Sequence, residues 1–241
     1  MFRKIIFTYI LFILVAFPAY NQEKFKPEWT IGMGGGIVLP AVDFASGNRK
    51  AFETKSEMHS HGGISIRYIS EKNLGFIVEL NYSQLGWTER FNAEETLTEK
   101  YDRAKFAYSR NLNYMEMPIL THIYFGRKVR FVVNLGPKIS YLINEKETIS
   151  DELVNYLASG ETSPRMSTHQ YFRKTDKSID YGLMGGIGSE FRTKAGAFAL
   201  EGRYYFGLSD VYNNKKSDYF ERSANRVISV KLTYYMKLFN K

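Results

Sequence analysis

The chain has 241 residues, no cysteine, a net charge of +8 and a high aromatic content of 18 Tyr and 18 Phe. The absence of cysteine excludes disulfide bonds and a lipid-modified N-terminal cysteine. Basic residues never occur in a run longer than two. The positive charge therefore predicts a generally basic surface rather than a nucleic-acid-binding segment.

The N-terminus has the pattern of an export signal. Arg3 and Lys4 precede an apolar run over residues 5–17, and Pro18 and Ala19 follow it. The run is shorter than the roughly 20 residues that a membrane-spanning helix needs, which favours a secretory signal peptide over an anchor. We therefore predict a signal peptide over residues 1–22, cleaved somewhere in residues 19–22, and a single domain over residues 23–241.

The domain consists of segments in which apolar and polar residues alternate. In the first segment, Trp29, Ile31 and Met33 share one face, whereas Gly32 and Gly34 lie on the other. Such a period of two is typical of β-strands. The eight predicted strands cover residues 28–40, 57–69, 74–90, 108–125, 129–144, 178–192, 197–209 and 222–239.

The connections between these strands alternate between long and short. The short ones are at residues 70–73, 126–128 and 193–196, and the longest loop, residues 145–177, contains a predicted short helix at 151–158. Three short periplasmic turns and four long external loops are typical of an eight-stranded bacterial outer-membrane barrel. The pattern predicts an all-β fold, an eight-stranded antiparallel up-and-down transmembrane β-barrel in the outer membrane.

The hairpin formed by strands six and seven predicts its own register. If Lys194 and Ala195 form the turn, Arg203 lies opposite Gly186 and Glu201 opposite Gly188. Both long charged side chains then face a glycine, which leaves them room inside a narrow barrel. A three-residue turn would lose this match, because a one-residue shift moves every side chain to the other face.

Charged residues on the inward face of the predicted strands form the main candidate site. The interior of an eight-stranded barrel is just wide enough for side chains, and buried charges need partners. We therefore predict a salt-bridge network that fills the lumen. The alternative is a polar conduit or a proton-active site. The predicted network consists of Arg67, Glu79, Glu116, Lys138, Glu190, Glu201 and Arg203.

Catalysis and metal binding are the less favoured hypotheses. A hydrolase would need a nucleophile beside a base, and the sequence around His122 supplies none. His59 and His61 would share a strand face, but two histidines alone are a weak metal signal. His169 falls in a predicted loop. We predict no catalytic residues, no metal site and no cofactor.

Several segments resemble a known family. Residues 75–86, 112–120, 180–188, 203–208 and 225–230 are similar to the PorT-type, porin-like outer-membrane β-barrel family of Bacteroidota. The resemblance covers nearly all of the domain and implies an eight-stranded barrel in the outer membrane. One branch of this family is linked to type IX protein secretion, and the resemblance leaves that role as a minority alternative.

The sequence thus leads to two functional hypotheses. The first is a non-enzymatic structural or interaction subunit of an outer-membrane assembly, which binds through its external loops or outer wall. The second is a small porin-like transport channel, or a component linked to type IX secretion. The expected partners are outer-membrane lipids, lipopolysaccharide and other outer-membrane or secretion-machinery proteins, with no nucleic acid.

Overall fold

The structure is a computed structural model. It describes residues 25–46, 49–50, 53–91, 102–160, 168–213, 215, 218 and 220–238. The predicted signal peptide over residues 1–22 lies outside these described residues.

Eight long strands form the body of the fold. Each pairs antiparallel with the next along the chain, and the eighth pairs with the first over Thr30–Lys237 to Ala45–Arg222, which closes the sheet. The predicted eight-stranded up-and-down barrel is therefore confirmed. The strands are β1 (Glu28–Ser46), β2 (His59–Glu71), β3 (Leu74–Glu89), β4 (Tyr108–Gly126), β5 (Val129–Ile149), β6 (Ile179–Arg192), β7 (Ala197–Asp210) and β8 (Arg222–Lys237).

The two faces of the barrel wall differ in chemistry. Along β3, the outward Phe76, Val78 and Leu80 are exposed, whereas Ile77 and Glu79 between them are buried. The same alternation gives every strand an outward apolar band and an inward face that includes many polar groups, as in transmembrane barrels. At one end of the band, aromatic residues form a girdle that includes Trp29, Tyr68, Phe76, Phe125, Phe131, Phe191, Phe198 and Tyr234.

One end of the barrel carries short turns, and we call it the turn end. Asn73 there has a positive φ of 72°, and Thr193 N donates to Gly196 O at 2.7 Å in the β6–β7 turn. Asn tolerates this left-handed backbone because its short polar side chain can bond locally. The opposite end carries the long connections, and we call it the loop end. The predicted alternation of loop lengths is confirmed.

Two strands extend further towards the loop end than predicted. β1 continues to Ser46 instead of ending at residue 40, and β5 continues to Ile149 instead of residue 144. In β1 the extension buries Val42 and Phe44 on the inward face. The loops predicted at 41–56 and 145–177 are accordingly shorter, and two-residue strands at Arg49–Lys50 and Thr54–Lys55 lie within the first of them.

Helix α1 (Asp151–Ala158) follows β5, and the predicted helix at 151–158 is confirmed. Ser150 caps it by accepting a hydrogen bond from Leu153 N, and Asp151 and Glu152 occupy the first turn, where the helix dipole favours negative charge. Its buried side chains, Leu153 and Tyr156, point into the loop-end core. Among the described residues, no helix is long and apolar enough to cross a membrane.

Candidate functional site: the charged lumen

The register of β6 and β7 places two charged side chains in the lumen. Arg203 pairs with Gly186 and Glu201 with Gly188, so the predicted register is confirmed. A Cβ added to Gly186 would lie 2.8 Å from Arg203 Cγ, and one added to Gly188 would lie 2.9 Å from Glu201 Cγ. These glycines therefore provide the space that the two long side chains occupy.

Glu79 is the centre of the largest group of lumen contacts. Its carboxylate accepts hydrogen bonds from Arg203 Nη1 and Nη2 at 2.8 and 2.9 Å, and from Lys231 Nζ at 2.8 Å. Asn81 Nδ2 donates to it at 2.8 Å. Arg203 Nε also donates to Glu201 at 3.1 Å. One carboxylate thus joins side chains from β3, β7 and β8 across the barrel.

A second group of contacts lies nearer the turn end. Arg67 Nη1 donates to Glu190, and Arg67 Nε donates to Thr30 Oγ1 at 3.1 Å. The Arg67 guanidinium stacks over the Tyr235 ring at 3.9 Å. Arg130 Nη1 lies 3.4 Å from Glu190 on the other side. Glu190 therefore stands between two cations, and the contacts join β2, β5 and β6.

A third group lies nearer the loop end. Lys138 Nζ donates to Glu116, which also accepts from Ser83 Oγ at 3.1 Å. Lys138 Nζ sits 3.6 Å from the centroid of the Tyr205 ring. The Tyr205 hydroxyl in turn donates to Asp180 at 3.0 Å. Together the three groups extend along the lumen.

The structure places all seven residues of the sequence-derived set inside the barrel, none of them more than 4 % exposed. It adds Lys231, Arg130 and Asp180, which the sequence reasoning left out of the set. Lys231 could have been found, because it alternates with Val230 and Leu232 on a strand whose outward residues are apolar. Asp180 is the second residue of β6, and at the end of a strand the alternation of apolar and polar residues is weak evidence for the direction of a side chain.

The buried charges of the described residues balance. Six of them are basic and six are acidic. The basic residues are Arg67, Arg110, Arg130, Lys138, Arg203 and Lys231, and the acidic residues are Glu79, Glu89, Glu116, Asp180, Glu190 and Glu201.

A small cavity lies among these side chains. It has a volume of about 10 Å³, is lined by His61, Ser83, Glu116, Lys138 and Arg203 among others, and has room for about one water molecule. In the described part of the chain, no three His, Cys, Asp or Glu side chains group closely enough to hold a metal ion. His122 instead bonds Asn134 through Nδ1 at 2.7 Å.

Aromatic side chains occupy the lumen at the loop end. The Phe44 ring centroid lies 5.1 Å from that of Trp87 and 5.1 Å from that of Phe220. Tyr212 packs against Trp87 at 6.3 Å. All four residues are buried. Residues of β1 and β3 thereby meet the connection between β7 and β8 over the top of the charged lumen.

Arg110, which is buried, is linked through Tyr108 to the connection between α1 and β6. We call residues 168–178 the lid segment. Arg110 Nε donates to the Tyr108 hydroxyl at 3.1 Å and Nη1 donates to Glu145 at 2.9 Å, while Nη2 lies 2.8 Å from Glu147. The Tyr108 hydroxyl then donates to the Gln170 carbonyl at 3.1 Å. The lid is thus tied to β4 and β5.

The lid segment is also tied to β3. Gln170 Nε2 and the Tyr171 hydroxyl both donate to Glu89, at 3.1 and 2.8 Å. Burial raises the pKa of the Tyr171 phenol, and the Glu89 charge raises it further. Tyr171 therefore remains a protonated donor at neutral pH.

Replacing Arg110 with alanine should loosen the lid while the barrel stays folded. The change removes the ion pairs to Glu145 and Glu147, and the lost charge-assisted hydrogen bond to Glu145 is worth about 1.5–3 kcal/mol. Local opening becomes more frequent, so trypsin should cut at Arg173 or Lys174 at least about tenfold faster, by the conversion of free energy to population. Gel analysis of protease digests on intact cells measures this rate.

The control for this prediction is Lys146→Ala, which removes an exposed charge from β5 between the two glutamates. It should leave the cleavage rate as in the parent. Equal cleavage of the parent and Arg110→Ala would contradict the role assigned to Arg110 in holding the lid.

Comparison with known proteins found similar solved structures and a matching family model. Among solved structures, the chain is similar to Ail, the attachment invasion locus protein of Yersinia pestis, at 11% identity, with 87% of this chain and 99% of Ail covered and a TM-score of 0.39. It is similar to Neisserial surface protein A at 9% identity, with 89% and 100% covered and a TM-score of 0.42.

The chain is also similar to outer membrane protein W of E. coli at 13% identity, with 88% and 98% covered and a TM-score of 0.42. Identities this low do not imply a shared activity. No curated protein matches the chain. Residues 20–213 match the family model described as outer membrane protein beta-barrel domain. The chain therefore belongs to the outer membrane protein beta-barrel domain family, and it is an eight-stranded barrel of the outer membrane.

Proposed function

We propose that the protein is a closed, non-enzymatic barrel that serves as a structural or interaction subunit of an outer-membrane assembly. The observation that carries the proposal is the cross-lumen contact of Glu79 with Arg203 and Lys231, all buried. A hydrated ion cannot pass side chains that touch across the lumen unless their ion pairs separate. Separation would leave buried charges unpaired, which costs several kcal/mol.

The loop end supports the same proposal. The aromatic cluster around Phe44 and Trp87 lies in the lumen at this end, and the lid segment contacts it through Arg173, whose guanidinium lies 4.8 Å from the centroid of the Tyr212 ring. Among the described residues at this end, the outer surface of the loops is accessible. Phe172 is 64 % exposed there and has a positive φ of 56°, which is uncommon for a bulky residue. A strained, exposed aromatic residue is a reasonable contact point for a partner.

Conductance in planar bilayers tests whether the lumen is closed. The parent protein should show no steady openings, whereas Glu79→Ser combined with Arg203→Ser should show them, because the cross-lumen contact is replaced by two short side chains. Heat-modifiable gel mobility establishes that both proteins are folded. Steady, ion-selective openings of the parent would contradict the closed barrel.

A small porin-like channel is the second candidate, and a specific observation favours it. The hydroxyls of Ser65, Ser140, Thr233 and Tyr235 are buried in the described structure without a hydrogen-bond partner. Buried polar atoms are usually satisfied, and ordered water is a common partner. Water along the lumen would be the first requirement of a transport path, so the bilayer recordings decide between the two candidates.

The interaction role needs a separate experiment. Affinity purification in mild detergent, followed by mass spectrometry, should identify an outer-membrane protein that binds the parent but not Phe172→Ser. Lys146→Ser, at the same end, is the control and should retain the partner. Recovery of the same proteins with the parent and Phe172→Ser would contradict binding through this loop surface.

The PorT-type resemblance leads to a narrower proposal, a link to type IX protein secretion. It rests on the sequence segments that carry the resemblance and on the family-level outer-membrane assignment. Secretion-machinery proteins among the specific partners would support it. Normal secretion in a strain that lacks the gene would contradict it.

A further inference from the structure

The turn end of the barrel carries an excess of positive charge. The described residues in its three turns, at the start of β1 and at the end of β8 include far more basic than acidic side chains. The basic ones are Lys26, Lys72, Arg127, Lys128, Arg192, Lys194 and Lys237, and the acidic ones are Glu28 and Glu71. These described residues have a net charge of +5, and we call them the turn-end ring.

The excess is specific to this end. The buried charges of the lumen balance, as described above, and several cations at the loop end pair with carboxylates. Arg173 pairs with Asp176 there, and Arg226 Nη2 lies 3.6 Å from Asp43. In the turn-end ring, Glu28 is already shared between Arg192 at 2.9 Å and Lys237 at 3.7 Å. The other lysines of the turn-end ring are exposed.

The position of the ring relative to the aromatic girdle suggests its partner. Arg127 and Lys128 follow Phe125 within three residues, and Lys237 lies three residues after Tyr234. Aromatic girdles mark the boundary between the hydrocarbon and the headgroups. The ring therefore stands at headgroup depth, and it occupies all three turns, the start of β1 and the end of β8 instead of one compact patch.

We propose that the turn-end ring binds the anionic headgroups of phospholipids in the periplasmic leaflet. Charges spread around the whole circumference of the barrel can contact many lipids at once. A soluble protein would contact only one side of the ring. Lys and Arg side chains are attracted to an anionic lipid surface, and the attraction falls off within a Debye length. The bound lipids would fix the depth of the barrel at its turn end.

The protein contains a natural reporter for this site. Of the two tryptophans, Trp29 lies outward in the girdle and is exposed, whereas Trp87 is buried in the loop-end cluster. Trp29 packs against Tyr68 at 4.5 Å beside the turn end. Quenching of Trp29 fluorescence by brominated lipid therefore measures which lipids contact this end, with Trp87 as a constant background.

The experiment reconstitutes the full-length folded barrel in vesicles of phosphatidylcholine mixed with brominated phosphatidylglycerol or brominated phosphatidylcholine. We expect phosphatidylglycerol to be preferred at Trp29 by about threefold to tenfold at low salt and less at high salt, because salt screens the charges. The triple variant Lys26→Gln, Lys72→Gln and Lys237→Gln should lose most of this preference.

The matched control removes the same charge from the loop end, with Lys146→Gln, Lys174→Gln and Lys215→Gln. It should keep the preference of the parent. No preference in the parent, or an equal loss in both triple variants, would overturn the proposal. Saturable binding of soluble polyglutamate to the parent, without any lipid preference, would instead assign the ring to an acidic periplasmic protein and would also overturn it.

Discussion

Replacing Arg203 with alanine is expected to lower the free energy of unfolding by about 3–5 kcal/mol, the loss typical of a buried ion pair that loses one partner. Arg203 is 4 % exposed and donates to both Glu79 and Glu201. Its removal leaves two carboxylates in the lumen with one fewer cation. Urea unfolding of the barrel in detergent measures the change.

The double variant Arg203→Met with Glu201→Gln should recover part of this loss, because Glu79 then keeps Lys231 as its cation and the lumen stays balanced. Arg192→Ala is the matched control. Its pair with Glu28 is partly exposed, and such pairs are worth about 0–1 kcal/mol. If Arg203→Ala is as stable as the parent and opens a channel, the filled-lumen hypothesis is wrong.

Replacing Gly36 with valine should prevent the barrel from closing. Gly36 pairs with Lys231 across the seam between β1 and β8. A Cβ at this position would lie 1.8 Å from the Val230 carbonyl oxygen and 2.9 Å from Lys231 Cα, both of them backbone atoms. With this side chain, β1 and β8 cannot pair at their present separation. The sheet would then keep two open edges, which are not tolerated in lipid. We expect no folded product.

The measurement is the gel mobility of unboiled protein, since a closed barrel migrates faster than its boiled form. Gly202→Val is the control, because Gly202 also lies in mid-strand but has no atom within 4 Å of an added Cβ. It should keep the fast-migrating form. A fast-migrating Gly36→Val protein would show that the seam adjusts to the extra side chain.

Much of the fold could be predicted because each strand carries its information locally. The alternation of apolar and polar residues along each strand predicted which side chains face the lumen. The lengths of the connections predicted the order of the strands. The β6–β7 register was also predictable, because Gly186 and Gly188 face charged residues only with a two-residue turn. Gly36 opposite Lys231 follows the same rule at the seam, and it was not recognised because the closing register has no turn to fix it.

The partners of the lumen charges could not be predicted in the same way. Arg67 meets Glu190 and Arg203 meets Glu79, yet neither pair lies on neighbouring strands. Which residues face each other across the lumen depends on the tilt and stagger of the closed barrel, and these are properties of the whole sheet. The lid contacts of Arg110 depend similarly on loop conformations without a repeating pattern.

The cross-lumen pairs also constrain how the protein is assembled. Glu79 is separated from Arg203 by 124 residues and from Lys231 by 152, and Arg67 is separated from Glu190 by 123. A half-built sheet in lipid would hold these charges without partners, which is strongly unfavourable. Strands can therefore not enter the bilayer one at a time. The nascent interior must stay hydrated until the last strand arrives, and neutralisation of the lumen then coincides with closure.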